Sequence, residues 1–160
     1  MTKVRGFEKV KKEIYDELNL EIAYEDLTLP SRGTRTSAGY DFISPISFTL
    51  NPGERIVVPT GIKAYMQDTE VLIGFARSGV GFKYEVQFAN LLPVIDADYY
   101  SNPSNDGLIN FKLVNRGDKP WEVKAGDRIV QCIFMPYLLV DGDSVEEGTL
   151  RTGGHGHTGK

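Results

Sequence analysis

A carboxylate, a phenol and an amide occur close together in residues 90–100, Asn-Leu-Leu-Pro-Val-Ile-Asp-Ala-Asp-Tyr-Tyr. The apolar pair before Asp96 predicts the end of a buried strand. Asp96, Asp98 and the polar run 101–107 predict a turn, and residues 108–114 predict a second strand, so we expect a hairpin. Because Asp96 follows an apolar pair, we expect it to be less solvated than a residue at a turn tip. Such a carboxylate could act as a general base, although acidic turn residues are commonly just solvated.

Two further stretches suggest phosphate chemistry. Residues 77–81, Arg-Ser-Gly-Val-Gly, follow a predicted strand. The guanidinium fork of Arg77 matches phosphate oxygens, and glycines allow backbone N–H groups to approach an anion. An ordinary turn with a surface arginine would have the same composition. Asp41 closes the small-residue turn 37–41, and a single carboxylate near phosphates suggests Mg²⁺ held mostly through water.

An amide interrupts the apolar strand predicted over residues 128–137. Gln131 stands between Ile129 and Ile133, which alternation would place on the same face. Because a buried amide without a hydrogen-bond partner is costly, Gln131 has either a structural partner or a ligand. The sequence leaves both interpretations open.

The elements that position these groups are mainly strands. Phe7, Val10, Ile14 and Leu18 recur at helical spacing and predict a short amphipathic helix within an N-terminal extension, residues 1–20. Beyond it, short apolar runs separated by Pro, Gly, Asn and Asp favour an all-β sandwich, barrel or jelly roll. The predicted strands are 46–50, 55–58, 61–66, 71–75, 84–90, 94–95, 108–114, 121–123 and 128–137.

Length and composition limit the possible functions. A chain of 160 residues is most simply one domain, 1–160. The net charge of −4 argues against duplex nucleic acid as a partner, since such proteins usually present a basic face. The single cysteine, Cys132, allows no internal disulfide, which fits a reducing compartment. We expect no signal peptide and no membrane span, and hence a cytoplasmic protein.

Five motifs in the same order resemble those of the trimeric dUTP diphosphatases. The resemblance extends over residues 38–159, nearly the whole chain after the predicted helix. Five motifs in the family order are far more specific than any one alone. The motifs are Ala38-Gly39-Tyr40-Asp41, Arg77-Ser78-Gly79, residues 90–99 with Val94-Ile95-Asp96-Ala97-Asp98-Tyr99, Gly126-Asp127-Arg128-Ile129-Val130-Gln131, and the glycine-rich residues 151–159.

The resemblance implies a jelly-roll-like β-barrel that assembles as a homotrimer with active sites at subunit boundaries. It implies hydrolysis of dUTP to dUMP and pyrophosphate with Mg²⁺, which limits uracil incorporation into DNA and supplies dUMP. Asp96 would deprotonate the water that attacks the α-phosphorus, Asn90 would recognise the uracil edge, and Tyr99 would pack under the deoxyribose.

The remaining site residues follow from the same resemblance. Arg77, Ser78 and Gly79 would bind phosphates, and Ser78 would also steady the leaving pyrophosphate. Gln131 would contact the α-phosphate and the attacking water, and Asp41 would hold magnesium through its water shell. The flexible C-terminal tail, residues 151–160, would close over the nucleotide as a mobile lid. Its expected substrate contacts are Arg151, His155, Gly156, His157 and Thr158.

Three residues depart from the family pattern. Pro93 stands where glycine is usual, His155 replaces a stacking phenylalanine, and Ala76 replaces a common proline. Proline fixes φ and removes an N–H, so Pro93 affects the shape of the loop that would recognise uracil. None of the three removes a group expected to act in catalysis.

Two alternatives have the same fold. A dCTP deaminase resembles this family but needs an acid/base carboxylate on the strand after the hairpin, and residues 108–113 contain none. A nucleotide sensor or protein-binding regulator could retain the fold without catalysis. The presence of Asp96, Tyr99 and Arg77 argues against that loss.

Overall fold

The computed structural model of the protein describes residues 2–143. This part of the chain is built mainly from short strands, with few helical turns. Its strands are β1 Gly6–Lys9, β2 Ser31–Arg32, β3 Tyr40–Ile43, β4 Phe48–Leu50, β5 Arg55–Pro59, β6 Ile62–Tyr65, β7 Glu70–Ala76, β8 Val86–Phe88, β9 Val94–Asp96, β10 Asn110–Asn115, β11 Trp121–Val123 and β12 Arg128–Pro136. Its helices are α1 Lys12–Glu17, α2 Ser78–Tyr84 and the 3-10 turn Ala97–Tyr99.

The strands of residues 2–143 form four antiparallel sheets. The largest has the order β2-β3-β12-β7-β9, and a three-stranded sheet has the order β5-β10-β8. The pairs β1-β6 and β11-β4 form two smaller sheets. The prediction of a mostly β protein is therefore confirmed, whereas the strands described here do not close into a barrel.

The core joins the two larger sheets through aromatic side chains. Phe111 on β10 makes edge contacts with Phe42 on β3 and with Phe88 on β8, at ring-centroid distances of 5.2 and 5.3 Å. All three are almost completely buried. Because aromatic side chains bury large apolar areas and favour edge-to-face contacts, this cluster fixes one sheet against the other.

The N-terminal prediction is partly wrong. Residues around Phe7 form β1, which pairs with β6 so that Phe7 lies opposite Ala64. The Phe7 ring packs against Tyr40, Phe42 and Phe134, and only Lys12–Glu17 is helical. A short isolated helix is marginal, whereas the extended chain gains a hydrogen-bonded partner strand and packs Phe7, partly buried, against the core.

The predicted hairpin is also wrong in its pairing. β9 pairs with β7, whereas β10 pairs with β5 and β8. Residues 97–109 therefore connect two different sheets. The strand predicted over 84–90 is shorter than expected, because α2 extends to Tyr84 and Glu85 ends it in a left-handed conformation with φ of 53°.

In the described part of the chain, no helix is long and apolar enough to cross a membrane.

Candidate active site

A cavity of about 530 Å³ lies beside β9 and β10, and we call it the β9 cavity. It brings together three residues predicted from the sequence, namely Asn90, Asp96 and Tyr99. Most of the other lining residues are apolar, so polar groups are few. The lining consists of Val57, Phe88, Ala89, Asn90, Pro93, Val94, Ile95, Asp96, Tyr99, Ile109, Asn110, Phe111 and Lys112.

Asp96 is the last residue of β9 and lies opposite Val71 of β7. Successive side chains of a strand point to opposite faces. Ile95 is buried, whereas Val94 and Asp96 are exposed in the single chain. The expected desolvation of Asp96 is therefore not found, because the pleat directs this carboxylate outward along the rim of the cavity. Water has direct access to it.

Tyr99 is buried at the wall of the β9 cavity. Its hydroxyl donates to the Leu108 carbonyl oxygen at 2.6 Å and accepts from the Asn105 amide nitrogen at 2.8 Å. The phenol oxygen is therefore engaged in holding the ring. This arrangement suits a packing role for the ring better than proton transfer by the hydroxyl.

A second cleft, of about 310 Å³, lies beside β3, β12 and the start of α2, and we call it the arginine cleft. Five residues predicted to bind phosphate or magnesium meet here: Asp41, Arg77, Ser78, Gly79 and Gln131. Ser78 and Gly79 open α2, where backbone N–H groups have no partner within a helix. The remaining lining residues are Gly33, Thr34, Ser37, Gly39 and Arg128.

Asp41 organises the charges of the arginine cleft. Its Oδ1 accepts from Arg77 Nε at 3.1 Å, and its Oδ2 accepts from Arg128 Nη1 at 3.4 Å. Arg77 also donates to the Arg128 carbonyl oxygen at 3.2 Å. One carboxylate thus orients two guanidinium groups, and the excess positive charge favours an anionic ligand.

Gln131 has a structural hydrogen-bond partner, which is one of the two possibilities that the sequence leaves open. Its Nε2 donates to the Ala76 carbonyl oxygen at 3.2 Å, while the side chain lines the arginine cleft. A Cβ atom on Gly39 would collide with the side-chain oxygen of Gln131, so glycine at this position makes room for the amide. A register irregularity between Arg128 and Val130 also breaks the expected alternation, and Ile129 and Val130 are both buried.

The structure adds residues that the sequence reasoning did not assign. Arg128 belongs to a recognised motif but was given no role, and its ion pair with Asp41 depends on a strand pairing that no local pattern reveals. Thr34 and Ser37 lie in a polar loop that contains Arg35 and follows Arg32 of β2, a composition that could have suggested an anion site. In the β9 cavity, Asn110 and Lys112 line the wall from β10.

The described residues do not form a protein-only metal site. Within residues 2–143, no cluster of three or more His, Cys, Asp or Glu side chains could hold a metal ion. The Asp41 carboxylate is shared by two arginines, so a direct metal bond would compete with existing ion pairs. Contact through water leaves both pairs intact, and Mg²⁺ is usually held by substrate phosphates and water with few carboxylates.

The two clefts have no lining residue in common. The candidate base, Asp96, therefore lies in one cleft of the chain and the candidate phosphate ligands lie in the other. The predicted tail residues Arg151, His155, Gly156, His157 and Thr158 fall outside the described residues.

Comparison with known proteins decides the family. The family model described as dUTPase matches residues 25–159. The chain belongs to the dUTPase family. A similar curated dUTPase is the deoxyuridine 5'-triphosphate nucleotidohydrolase of Lactococcus lactis, which is 42% identical over 157 residues, covering 98% of this chain and 99% of the relative.

Solved dUTPase structures resemble the fold. The crystal structure of a dUTPase from Streptococcus mutans is 41% identical, with a TM-score of 0.71, and the match covers 86% of this chain and 99% of that one. The structure of a mutant dUTPase from phage phi11 of S. aureus, which reveals the coordination of a structural Mg(II) ion, has a TM-score of 0.65 at 18% identity. That match covers 91% of this chain and 98% of the phage chain. At this identity it shows a similar fold and nothing more.

Proposed function

We propose that the protein hydrolyses dUTP to dUMP and pyrophosphate, as one domain over residues 1–160. The near-full-length similarity to a deoxyuridine 5'-triphosphate nucleotidohydrolase is the observation that supports this most strongly. The chemistry of the two clefts agrees with it. The β9 cavity has an apolar wall with a few polar groups, as suits a base and sugar, and the arginine cleft suits a triphosphate.

Asp96 is the proposed general base. It takes a proton from the water that attacks the α-phosphorus, and its exposed position at the cavity rim lets that water reach it. Asn90 and backbone groups of the loop before β9 contact the uracil edge. The Tyr99 ring occupies the space that a ribose 2′-hydroxyl would need. A site that hydrogen-bonds its substrate rejects a mismatched base, because its polar groups would be left unpaired.

The arginine cleft is the proposed phosphate site. Arg77 presents a guanidinium oriented by Asp41, and Ser78 and Gly79 present a hydroxyl and backbone N–H groups. Ser78 steadies the leaving pyrophosphate. Gln131, held by Ala76, contacts the α-phosphate and the attacking water. These fixed donors neutralise charge that spreads over the phosphoryl oxygens in the transition state.

Magnesium is the proposed cofactor. When bound with the triphosphate, it supplies further neutralisation of phosphate charge. Asp41 would hold it through water, which would leave both of its oxygens paired with the arginines. The tail residues Arg151, His157 and Thr158 contact the phosphates, and His155 stacks over the uracil beside Gly156.

A homotrimer with shared active sites is the proposed assembly. The division of base and phosphate ligands between two separate clefts supports a site completed by contact between chains. Large exposed apolar side chains offer surfaces for such contact. Phe82 on α2 is 92% exposed, Leu138 is 96% exposed, and Leu139 and Val140 are also exposed. Sedimentation should give a trimer, and a stable monomer with full activity would overturn this proposal.

The proposed cellular role is to limit uracil incorporation into DNA and to supply dUMP in the cytoplasm. The net charge of −4 agrees with a small-molecule substrate and with neither nucleic acid nor membrane as a partner. A deaminase is disfavoured, because β10 contributes an amide and an amine to the β9 cavity, from Asn110 and Lys112, and no carboxylate. No observation favours a purely regulatory role.

Substitution of the candidate base tests the mechanism. Asp96→Asn should bind dUTP like the parent protein and lose turnover by about 10²- to 10⁴-fold, the usual contribution of general-base catalysis. Asp98→Asn is the matched control, since Asp98 is also exposed but does not line the β9 cavity, and it should retain turnover. Near-normal turnover by Asp96→Asn would refute the assignment of the base.

A further inference from the structure

The loop formed by residues 100–107 follows Tyr99 directly and leads toward β10. Two of its non-glycine residues, Ser101 and Asp106, have positive φ angles of 53° and 60°. At Gly107, with φ of 86°, a Cβ atom would lie 2.9 Å from the Tyr99 carbonyl oxygen. Such conformations persist only where surrounding contacts enforce them. The contacts in this loop converge on Tyr99.

Two asparagines of the loop bind Tyr99 at both ends. Asn105 Nδ2 donates to the Tyr99 hydroxyl oxygen at 2.8 Å, and Asn102 Nδ2 donates to the Tyr99 carbonyl oxygen at 2.8 Å. Asn102 Nδ2 also donates to Asn105 Oδ1 at 2.8 Å. The backbone and the ring tip of Tyr99 are thus held by one connected set of amides.

The loop is itself anchored from outside. Lys63 Nζ on β6 bonds Asp106 Oδ2 at 3.0 Å and the Ser101 hydroxyl at 3.1 Å. The Lys11 N–H donates to the same Asp106 oxygen at 2.8 Å. The Tyr100 hydroxyl donates to a Glu8 carboxylate oxygen at 2.6 Å. Because these anchors lie on β1, β6 and the segment before α1, the loop has little freedom to move away from Tyr99.

We propose that Asn105 is a positioning residue that fixes the Tyr99 ring at the sugar-binding wall and thereby sets the preference for deoxyribose over ribose. This rests on the proposed function, in which Tyr99 occupies the space of a 2′-hydroxyl. A ring excludes that hydroxyl only if it cannot swing aside, and displacements of about 1 Å are enough to alter such a site. The Asn105 bond, together with the Leu108 carbonyl, restrains the ring tip.

Asn105→Asp tests the proposal. The aspartate has the same shape and can still accept from the Gly107 N–H, but an ionised carboxylate cannot donate to Tyr99. The single hydroxyl proton of Tyr99 can then bond either the Leu108 carbonyl or the carboxylate, so one of the two hydrogen bonds at the ring tip is lost. We expect the ratio of kcat/KM for dUTP to that for UTP to fall by about three- to tenfold, the factor that one net hydrogen bond provides. Ser104→Ala is the control, because the Ser104 side chain is exposed and only its backbone N–H bonds Asn102. It should leave the ratio unchanged.

A double substitution separates positioning from general stability. Tyr99→Phe keeps the ring but removes the hydroxyl, so it should lower the ratio by itself. Asn105→Asp should then cause no further fall in the Tyr99→Phe background. If Asn105→Asp fails to fold, Tyr99→Phe still tests the same hydrogen bond.

The outcomes distinguish this proposal from the proposed function. If Tyr99→Ala lowers the ratio while Asn105→Asp and Tyr99→Phe do not, the positioning role is refuted and the role of Tyr99 stands. If Tyr99→Ala leaves the ratio unchanged, sugar selection lies elsewhere, and both the sugar-selecting role of Tyr99 and the positioning role of Asn105 are refuted. Equal losses on dUTP and UTP in Asn105→Asp would show a purely structural loop and would overturn the positioning role.

Discussion

Replacing Asp106 by asparagine is expected to destabilise the protein far more than the same change in a lysine–aspartate pair on the surface. The Lys63–Asp106 pair has an N–O distance of 3.0 Å with side chains only 8% and 5% exposed. The Lys12–Asp16 pair of α1 has a similar distance, 3.2 Å, but side chains 52% and 55% exposed. The two pairs share chemistry and differ in burial.

Burial sets the expected magnitude. Removing one partner of a buried pair costs about 3–5 kcal/mol, because the remaining charge is left uncompensated. Asparagine tolerates the positive φ at position 106 and can still accept from Lys11, so we expect the lower end, about 3 kcal/mol. In a protein of this size that lowers the Tm by roughly 6–12 °C. Asp16→Asn should change the stability little, because solvent screens an exposed i,i+4 pair.

Thermal and urea unfolding at fixed protein concentration would measure both variants. Adding Lys63→Met to Asp106→Asn should recover much of the loss, since no buried charge then remains. Equal destabilisation by Asp106→Asn and Asp16→Asn would refute the argument from burial.

Three further predictions concern Gly39, Cys132 and the tail. Gly39→Ala should displace the Gln131 amide and lower kcat/KM for dUTP. Gly81→Ala is the control and should not lower it, because the new methyl group there meets only an ordinary contact. Equal activities of the two variants would refute the proposed role of Gln131. Burial raises the pKa of the Cys132 thiol far above its usual range. A thiol reagent at pH 8 should therefore modify the protein only after denaturation, as mass spectrometry would show. Prompt modification of the folded protein would contradict this prediction. A chain cut before Arg151 should fold and assemble like the intact protein but lose most turnover, because water is no longer excluded. Full turnover by this shortened chain would show that the tail is dispensable. In the intact chain, His155→Phe should retain or improve dUTP binding, and His155→Ala should weaken it.

The sequence predicted several elements because local signals are strong there. The turn Asn51-Pro52-Gly53 marks the end of β4, and the apolar run from Arg128 marks β12. The motifs also group Arg77 with Gln131 as phosphate ligands, and both side chains line the arginine cleft. In each case the residue types themselves carry the information, through turn chemistry or a recognisable motif.

Other features depend on contacts that no local pattern contains. Phe7 fits a helical spacing, yet its packing and the β1–β6 pairing decide its conformation. α2 contains two glycines and shows no amphipathic periodicity, so the sequence predicts no helix there. The pairing of β9 with β7 places Asp96 on an exposed edge of the cavity, although the apolar residues before it suggested burial.

The most direct test of the central claim is to measure pyrophosphate and ammonia release from dUTP and dCTP with Mg²⁺ present. The account predicts pyrophosphate from dUTP in equal amount to dUMP, no ammonia from dCTP, and little turnover of dTTP or UTP. Ammonia released from dCTP, or no pyrophosphate from dUTP, would contradict it.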